Sequence, residues 1–453
     1  MKRDFLLKLS TTQIILLSFL VTIFIGSLIL ALPISSATGE SVPYIDALFT
    51  ATTSVCVTGL VTLPTYSTWS PFAQVVILIL IQIGGLGVVT IMTGVLLSLH
   101  KRIGMGGRFL LQDAFNLNSL SGIVRFIKNV LLGTFVVEGI GALLYMTVLV
   151  PEYGAKGVWM SVFNAVSAFC NAGMDVIGVD SLCGYVSNPM ILFVTSALIV
   201  LGGIGFIVWW DVIAVWKNEK NHKWKCFRKL TLHSKIAIST TLLFLITGAL
   251  AFFVFEYHNP LTLGPLSVGE KLQAAMFQSV TTRTAGFAAV PQENLTNASA
   301  ILSLLLMFIG GSPVGTAGGV KTVTIAVLVI SAFATIRNKD EAEIFQRRIA
   351  KQAINKAVAV TSMSFIIMFT STVLLAAVTD ADALDILFET VSATATVGLT
   401  RNLTPGLNLW GKLIIICTMY LGRVGPISLV IAFNTKKESK NMIKNPVEEI
   451  SVG

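Results

Sequence analysis

Apolar runs of membrane length recur along the chain, at about 13–32, 74–99, 124–150, 190–216, 233–256, 299–336, 354–378 and 409–434. Each reaches the roughly 20 residues a helix needs to cross about 30 Å of hydrocarbon, so the pattern predicts eight crossings. A second kind of segment lies between alternate runs: DALFTATTSVCVTG (46–59), MSVFNAVSAFCNAG (160–173), QAAMFQSVTTRTAG (273–286) and DILFETVSATATVG (385–398). These are too short to cross and too apolar for solvated loops, so each predicts a re-entrant short helix that ends at a glycine.

The four segments are internal repeats. Their glycines, Gly59, Gly173, Gly286 and Gly398, follow one another at steps of 114, 113 and 112 residues. Ten residues before each glycine stands Phe49, Phe163, Met276 or Phe388, and one residue after it Leu60, Met174, Phe287 or Leu399. A second glycine mark recurs further on, as IGGLG (83–87), LGGIG (201–205), IGGSPVG (309–315) and LGRVG (421–425). The expected architecture is an all-α integral membrane protein of four M1-P-M2 units, with eight transmembrane helices and four re-entrant pore helices around a pseudo-fourfold axis. The units are expected at 1–117, 118–226, 227–345 (with an interrupted second helix) and 346–453 (with a C-terminal tail).

Composition agrees with a membrane protein: 54% of the 453 residues are hydrophobic and 12% charged, about half the charged share of a soluble domain. The net charge of +9 is not a nucleic-acid signature, because the basic residues cluster in alternate connections. Lys2, Arg3 and Lys8, Lys101, Arg102 and Arg108, the 217–235 loop, the 337–356 loop and the tail are basic, whereas the segments 33–73, 151–189, 257–296 and 379–410 hold few Lys or Arg. The positive-inside rule therefore places both termini in the cytoplasm and the short helices toward the opposite face. The first run, after its basic start, is longer than a signal-peptide core and is kept as a helix. Five scattered cysteines give neither a disulfide framework nor a zinc site. His100, His222, His233 and His258 have no partner at catalytic spacing, and no enzyme motif emerges.

Unpaired backbone at membrane depth must be buried in protein or line a wet path, so the four glycine loops are expected to converge on a pore. Glycine permits positive φ, and small neighbours let carbonyl oxygens replace a cation's hydration shell. The candidate cation-binding residues are the pairs Thr58–Gly59, Ala172–Gly173, Ala285–Gly286 and Val397–Gly398. Short helices aiming their C-terminal ends at that centre favour a cation there.

TATVGL (394–399) resembles the TVGYG filter of potassium channels reduced to one glycine. With the four repeats, the Thr282–Phe287 segment TRTAGF and LGRVGP (421–426), the whole chain resembles the Trk, Ktr and HKT superfamily of potassium transporters, in particular its KtrB-type membrane subunit. That resemblance implies potassium uptake across the cell membrane by a homodimer docked on a KtrA-like cytosolic ring of nucleotide-binding regulatory subunits, with potassium as the transported ion and sodium as a possible activator. It also associates a serine at the first filter glycine with sodium preference in some members, and Gly59 here with potassium. A sodium-permeable or sodium-coupled transporter and a non-conducting receptor stay open as alternatives.

The segment GGSPVGTAGGVKT (310–322) looks at first like a phosphate-binding loop, but Val320 separates Gly319 from Lys321 and no strand precedes it. It instead breaks the second helix of the third unit below its filter, which makes it the candidate gate: Gly310, Gly311, Ser312, Gly315, Thr316, Gly318 and Gly319, with Pro313 a stiffening residue. Arg423, deep in the last run, is expected near this loop, adding positive potential or pairing with its carbonyls. Arg283 is expected to donate to backbone carbonyls behind the filter, and Lys321 to be solvated or at an interface. Asp46, Asp385 and Glu389 suit the helix dipole at or near the starts of short helices.

Overall fold

The computed structural model describes residues 10–99, 103–114, 122–178, 180–218 and 226–425. Lys2, Arg3, Lys8, Lys101, Arg102, Pro426, the tail and the expected unit boundary at 117 lie outside the described residues. The described chain is predominantly helical. It opens with α1 (Thr11–Leu30), the short α2 (Tyr44–Cys56), α3 (Pro71–Leu86), α4 (Val88–Ser98) and α5 (Met105–Ala114). Next come α6 (Ile123–Tyr153), the short α7 (Ala155–Cys170), α8 (Pro189–Gly203) and α9 (Phe206–Asn218). Then follow α10 (Leu232–Glu256), the short α11 (Val268–Thr281), α12 (Asn297–Phe308) and α13 (Thr322–Ile336). The described part closes with α14 (Lys351–Val378), the short α15 (Ala383–Ala395) and α16 (Leu409–Val424).

Helices α1, α6, α10 and α14 are each long and apolar enough to cross a membrane. Two pairs pass the same test only jointly, α3 with α4 bent by 101° and α8 with α9 bent by 93°. The runs at 74–99 and 190–216, each expected as one crossing, are thus bent within their length. The cause is the last glycine of each mark: Gly87 and Gly205 adopt φ of +85° and +94°, left-handed backbone that no helix continues through, and Gly425 does the same at the end of α16 with +87°. The 299–336 run is divided between α12 and α13, with residues 309–321 as a loop. A two-stranded hairpin, β1 (Glu343–Ile344) with β2 (Arg347–Arg348), was not expected in the charged loop after α13. Phe345 and Gln346, both at positive φ, form its turn.

Each helix that follows a glycine loop starts at a side-chain cap. Ser70, Asn188, Thr296 and Asn408 accept backbone N–H groups at the starts of α3, α8, α12 and α16, a contribution of about 1 kcal/mol each. These four helices fix the architecture. α3 packs on α7, α8 on α11, α12 on α15, and α16 returns to α2, so the described helices close into a ring in chain order. The closing contact carries an ion pair, Lys412 Nζ to Asp46 Oδ1 at 2.6 Å, with both groups largely buried.

Glycines set how closely the helices approach. A Cβ on Gly84, Gly202 or Gly422 would stand 2.0, 2.0 and 2.1 Å from the carbonyl oxygens of Val55, Phe169 and Thr394, near the ends of α2, α7 and α15. We therefore expect Gly422→Ala to push α16 off α15 and to destabilise the protein by about 1–3 kcal/mol in thermal unfolding in detergent. Gly139→Ala, where a methyl meets nothing within 4 Å, is expected to be neutral or slightly stabilising.

Candidate functional site

The C-terminal ends of the short helices lead into four glycines that the fold brings together. Gly59, Gly173, Gly286 and Gly398 have φ of +98°, +66°, +85° and +97°. A Cβ built on Gly59 would lie 2.6 Å from the Ala172 oxygen, one on Gly173 2.6 Å from Ala285, one on Gly286 2.5 Å from Val397, and one on Gly398 2.3 Å from Thr58. Every glycine thus faces the carbonyl preceding the next glycine, and the cycle closes. The same methyl on Gly59 or Gly286 would also stand 3.0–3.2 Å from the Gly173 and Gly398 α-carbons on either side. A side chain at either position would point into the ring and fill it. The ring therefore requires glycine twice over, for its backbone angle and for its open centre.

The loops are held from within. Gly59 N donates to Thr53 Oγ1 at 2.9 Å and Gly398 N to Ser392 Oγ at 3.0 Å, while Ser167 Oγ donates to the Met174 carbonyl at 2.5 Å and Thr281 Oγ1 to that of Phe287 at 2.6 Å. Ser167 stands six residues before its glycine and Thr281 only five. The third loop is one residue shorter than the others. This corrects the alignment of Met276 with the buried phenylalanines: Met276 is 55% exposed, and Phe277, at 1%, matches Phe49, Phe163 and Phe388.

Two residues before each glycine, Val57, Asn171, Thr284 and Thr396 adopt left-handed backbone, with φ of 52–65°. Loop 309–321 packs against three of them. Gly318 N donates to Thr284 Oγ1 at 3.1 Å, and Thr316 Oγ1 donates to the Phe169 carbonyl at 2.9 Å and to Asn171 Oδ1 at 3.1 Å. Gly318 lies so close to Thr396 that a Cβ would overlap its hydroxyl at 1.9 Å. Sequence reading missed these polar residues. Their signal was available, since three of the four positions two before the glycine are Asn or Thr.

The loop is bonded to its neighbours along its length. Ser312 N donates to the Gly203 carbonyl at 2.8 Å, Thr316 N to Gly202 at 3.1 Å, and Ser312 Oγ pairs with Thr322 Oγ1 at 2.9 Å. Its stem is closed by Gly310 N to the Val320 carbonyl and Thr322 N to that of Gly311. Gly311 and Gly315 approach the Gly203 and Gly202 carbonyls, where a Cβ would lie 2.8 Å away, and Gly319 adopts φ +66° against Gly310. A cavity of about 820 Å³ opens against the loop at Gly318 and Lys321, between α13, α14 and α16.

Three cations hold this region by donating to backbone oxygens. Arg423 reaches the Thr316 carbonyl at 2.7 Å and the Gly84 carbonyl at 2.6 Å, tying the loop to α3. Lys321 Nζ donates to Ala317 at 2.6 Å and Gly318 at 3.4 Å, so of the two expected positions, solvated or at an interface, it takes one against the loop, which it braces. Arg283 donates to Thr241 at 3.1 Å and Gly310 at 3.2 Å, backbone carbonyls of α10 and the loop stem instead of the ring. Asp46 and Asp385 stand in first turns, Asp385 paired with Arg401 at 2.6 Å. Glu389 does not: it is fully buried in mid-helix and accepts the hydroxyls of Thr400 and Thr404. Sequence reading also passed over Glu138, buried in α6 and accepting Gln82 Nε2 at 3.1 Å.

Among the described residues, no group of three or more His, Cys, Asp or Glu is placed to hold a metal ion. The donors that converge at the ring are backbone oxygens, which suit a hard cation with an exchangeable hydration shell.

Known proteins share this chain's sequence and fold. It is 40% identical over 459 residues to the potassium/sodium uptake protein NtpJ of Enterococcus hirae, covering 100% of this chain and 99% of that one. It is also 40% identical over 447 residues to the Ktr system potassium uptake protein B of Bacillus subtilis, covering 98% and 97%. The crystal structure of the potassium transporter TrkH from Vibrio parahaemolyticus shares the fold, with a TM-score of 0.71 at 17% identity over 94% of this chain and 84% of that one. Residues 7–445 match the family described as TrkH, cation transport protein. The chain is a multi-pass membrane protein and belongs to this family of cation transporters.

Proposed function

We propose that this chain is the potassium-translocating subunit of a Ktr-type uptake system in the cell membrane. The closed ring of Gly59, Gly173, Gly286 and Gly398 carries this reading, and the names of the two 40% identical relatives support potassium as the ion. The four M1-P-M2 units, 1–117, 118–226, 227–345 and 346–453, surround one axis. The carbonyls of Thr58, Ala172, Ala285 and Val397, with those of the glycines, replace the water around a potassium ion. The C-terminal dipole ends of four short helices offset its charge. Both termini face the cytoplasm. An interior-negative membrane supplies about 2.3 kcal/mol per charge per 100 mV, so inward movement requires no chemistry on the protein.

Loop 309–321 is the gate. It contacts the residues immediately below the ring and must move for an ion to pass. Arg423 holds it shut through the Thr316 carbonyl. Two copies of the chain, docked on a cytosolic nucleotide-binding ring, complete the working unit, and that ring opens the gate through α13 and the hairpin that follows it.

Flux into proteoliposomes tests the proposal. Potassium-selective uptake is expected from the intact protein, with flux lost in Gly59→Ser and in Gly173→Ala, whose Cβ atoms would each stand 2.6 Å from a ring oxygen. No uptake of either ion from folded protein would refute it. Equal uptake of potassium and sodium by the intact protein would favour the mixed reading carried by the Enterococcus relative's name.

The gate has its own tests. Arg423→Gln removes charge-assisted hydrogen bonds of about 1.5–3 kcal/mol each and is expected to raise potassium flux about tenfold or more without changing selectivity. Deletion of residues 312–317 is expected to raise it further. Unchanged flux in both would remove the loop from the gating role.

A further inference from the structure

The third loop is short by one residue, and its surroundings differ from those of the other three. Against the other three short helices, Gly84, Gly202 and Gly422 lie directly on the carbonyls of Val55, Phe169 and Thr394. The matching glycine of the third mark, Gly310, has no such contact. The nearest atoms to a Cβ built there belong to Gly318 and Gly319 of its own loop. Between α11 and the loop stem stands the Arg283 guanidinium, which reaches Gly310 on one side and Thr241 of α10 on the other.

That guanidinium is incompletely bonded. Arg283 Nε and Thr241 Oγ1 are both buried without a protein partner, and each residue is only 6% exposed. Both residues line one small cavity of about 20 Å³, together with Gly203 and Gly311 and with apolar side chains of α8, α10 and α11. A cavity of this size exceeds the roughly 10–15 Å³ needed for one water molecule, and its polar groups supply a donor and a hydroxyl that both donates and accepts. Leaving a buried charged donor unmet costs more than the ordering of one water.

We propose that this cavity is a single-water site and that Arg283 with its water is a structural brace, standing in for the missing residue of the third loop and fixing the loop stem to α10 and α11. The water accepts from Arg283 Nε and hydrogen-bonds Thr241 Oγ1. Arg283 is a positioning residue: it touches no transported ion and acts by holding Gly310, the entry to the loop. The gating consequence rests on the reading of that loop as the gate, whereas the water site does not.

Two measurements on the full-length protein in lipid nanodiscs test this. A map resolving ordered waters is expected to show one oxygen within hydrogen-bonding distance of both Arg283 Nε and Thr241 Oγ1. An empty cavity, or an anion revealed there by bromide exchange and anomalous scattering, would overturn the proposal. Hydrogen exchange supplies the second readout. Thr241→Val, which keeps the shape and removes the hydroxyl, is expected to speed exchange of the 310–322 amides about tenfold, the loss of roughly one buried hydrogen bond, while Thr241→Ser behaves as the intact protein. Exchange unchanged in Thr241→Val would also overturn it. Neither readout needs ion flux, so a failed brace and a failed transport reading remain distinguishable.

Discussion

Four stretches of backbone that meet at one point govern this fold. In a membrane interior, an irregular segment is stable only where protein or a wet path receives its polar groups. Here the four segments pack on one another: each ring glycine faces the carbonyl of the next loop, and the side chains of Thr53, Ser167, Thr281 and Ser392 each bond one backbone group of their own loop. The arrangement tolerates no Cβ at the ring and very little space behind it. The close seats of Gly84, Gly202 and Gly422 on the short helices follow from the same requirement, because the short helices can converge only if the helices behind them approach closely.

The third quarter breaks the symmetry in two linked ways. Its loop is one residue shorter, and its second helix is replaced over residues 309–321 by a coil that packs under the ring. The positive residues Arg283, Lys321 and Arg423 donate to backbone carbonyls, and all three hold this coil or its stem. Buried and half-buried cations with neutral oxygen partners set a positive region beside a ring of oxygens. On the proposed reading, a barrier to cations and a site for cations stand close together, and displacement of the coil decides between them.

Much of this was legible in the sequence because glycine has few substitutes where φ is positive and space is absent. Residues 59, 173, 286 and 398 could be picked out by their spacing alone, and the interruption after Phe308 by its run of small residues. What remained hidden depends on tertiary geometry. The bends at Gly87 and Gly205 are invisible in hydropathy, since both sides of each bend are equally apolar. The shortened third loop was masked by counting back from glycine, which placed exposed Met276 where Phe277 belongs. Lys321 reads only as solvated or at an interface because its partners, the carbonyls of Ala317 and Gly318, carry no sequence signal. The fastening of α16 to α2 by Lys412 and Asp46 joins residues 366 positions apart, beyond the reach of any local pattern.

The central claim is that the oxygens around the four glycines bind a dehydrated monovalent cation. The most direct measurement is a crystal structure with rubidium in place of potassium, read at the rubidium absorption edge. The account predicts an anomalous peak on the ring axis between the Thr58, Ala172, Ala285 and Val397 carbonyls, displaced by potassium and retained in excess sodium. A well-ordered ring with no peak, or a peak equally displaced by both ions, would contradict it.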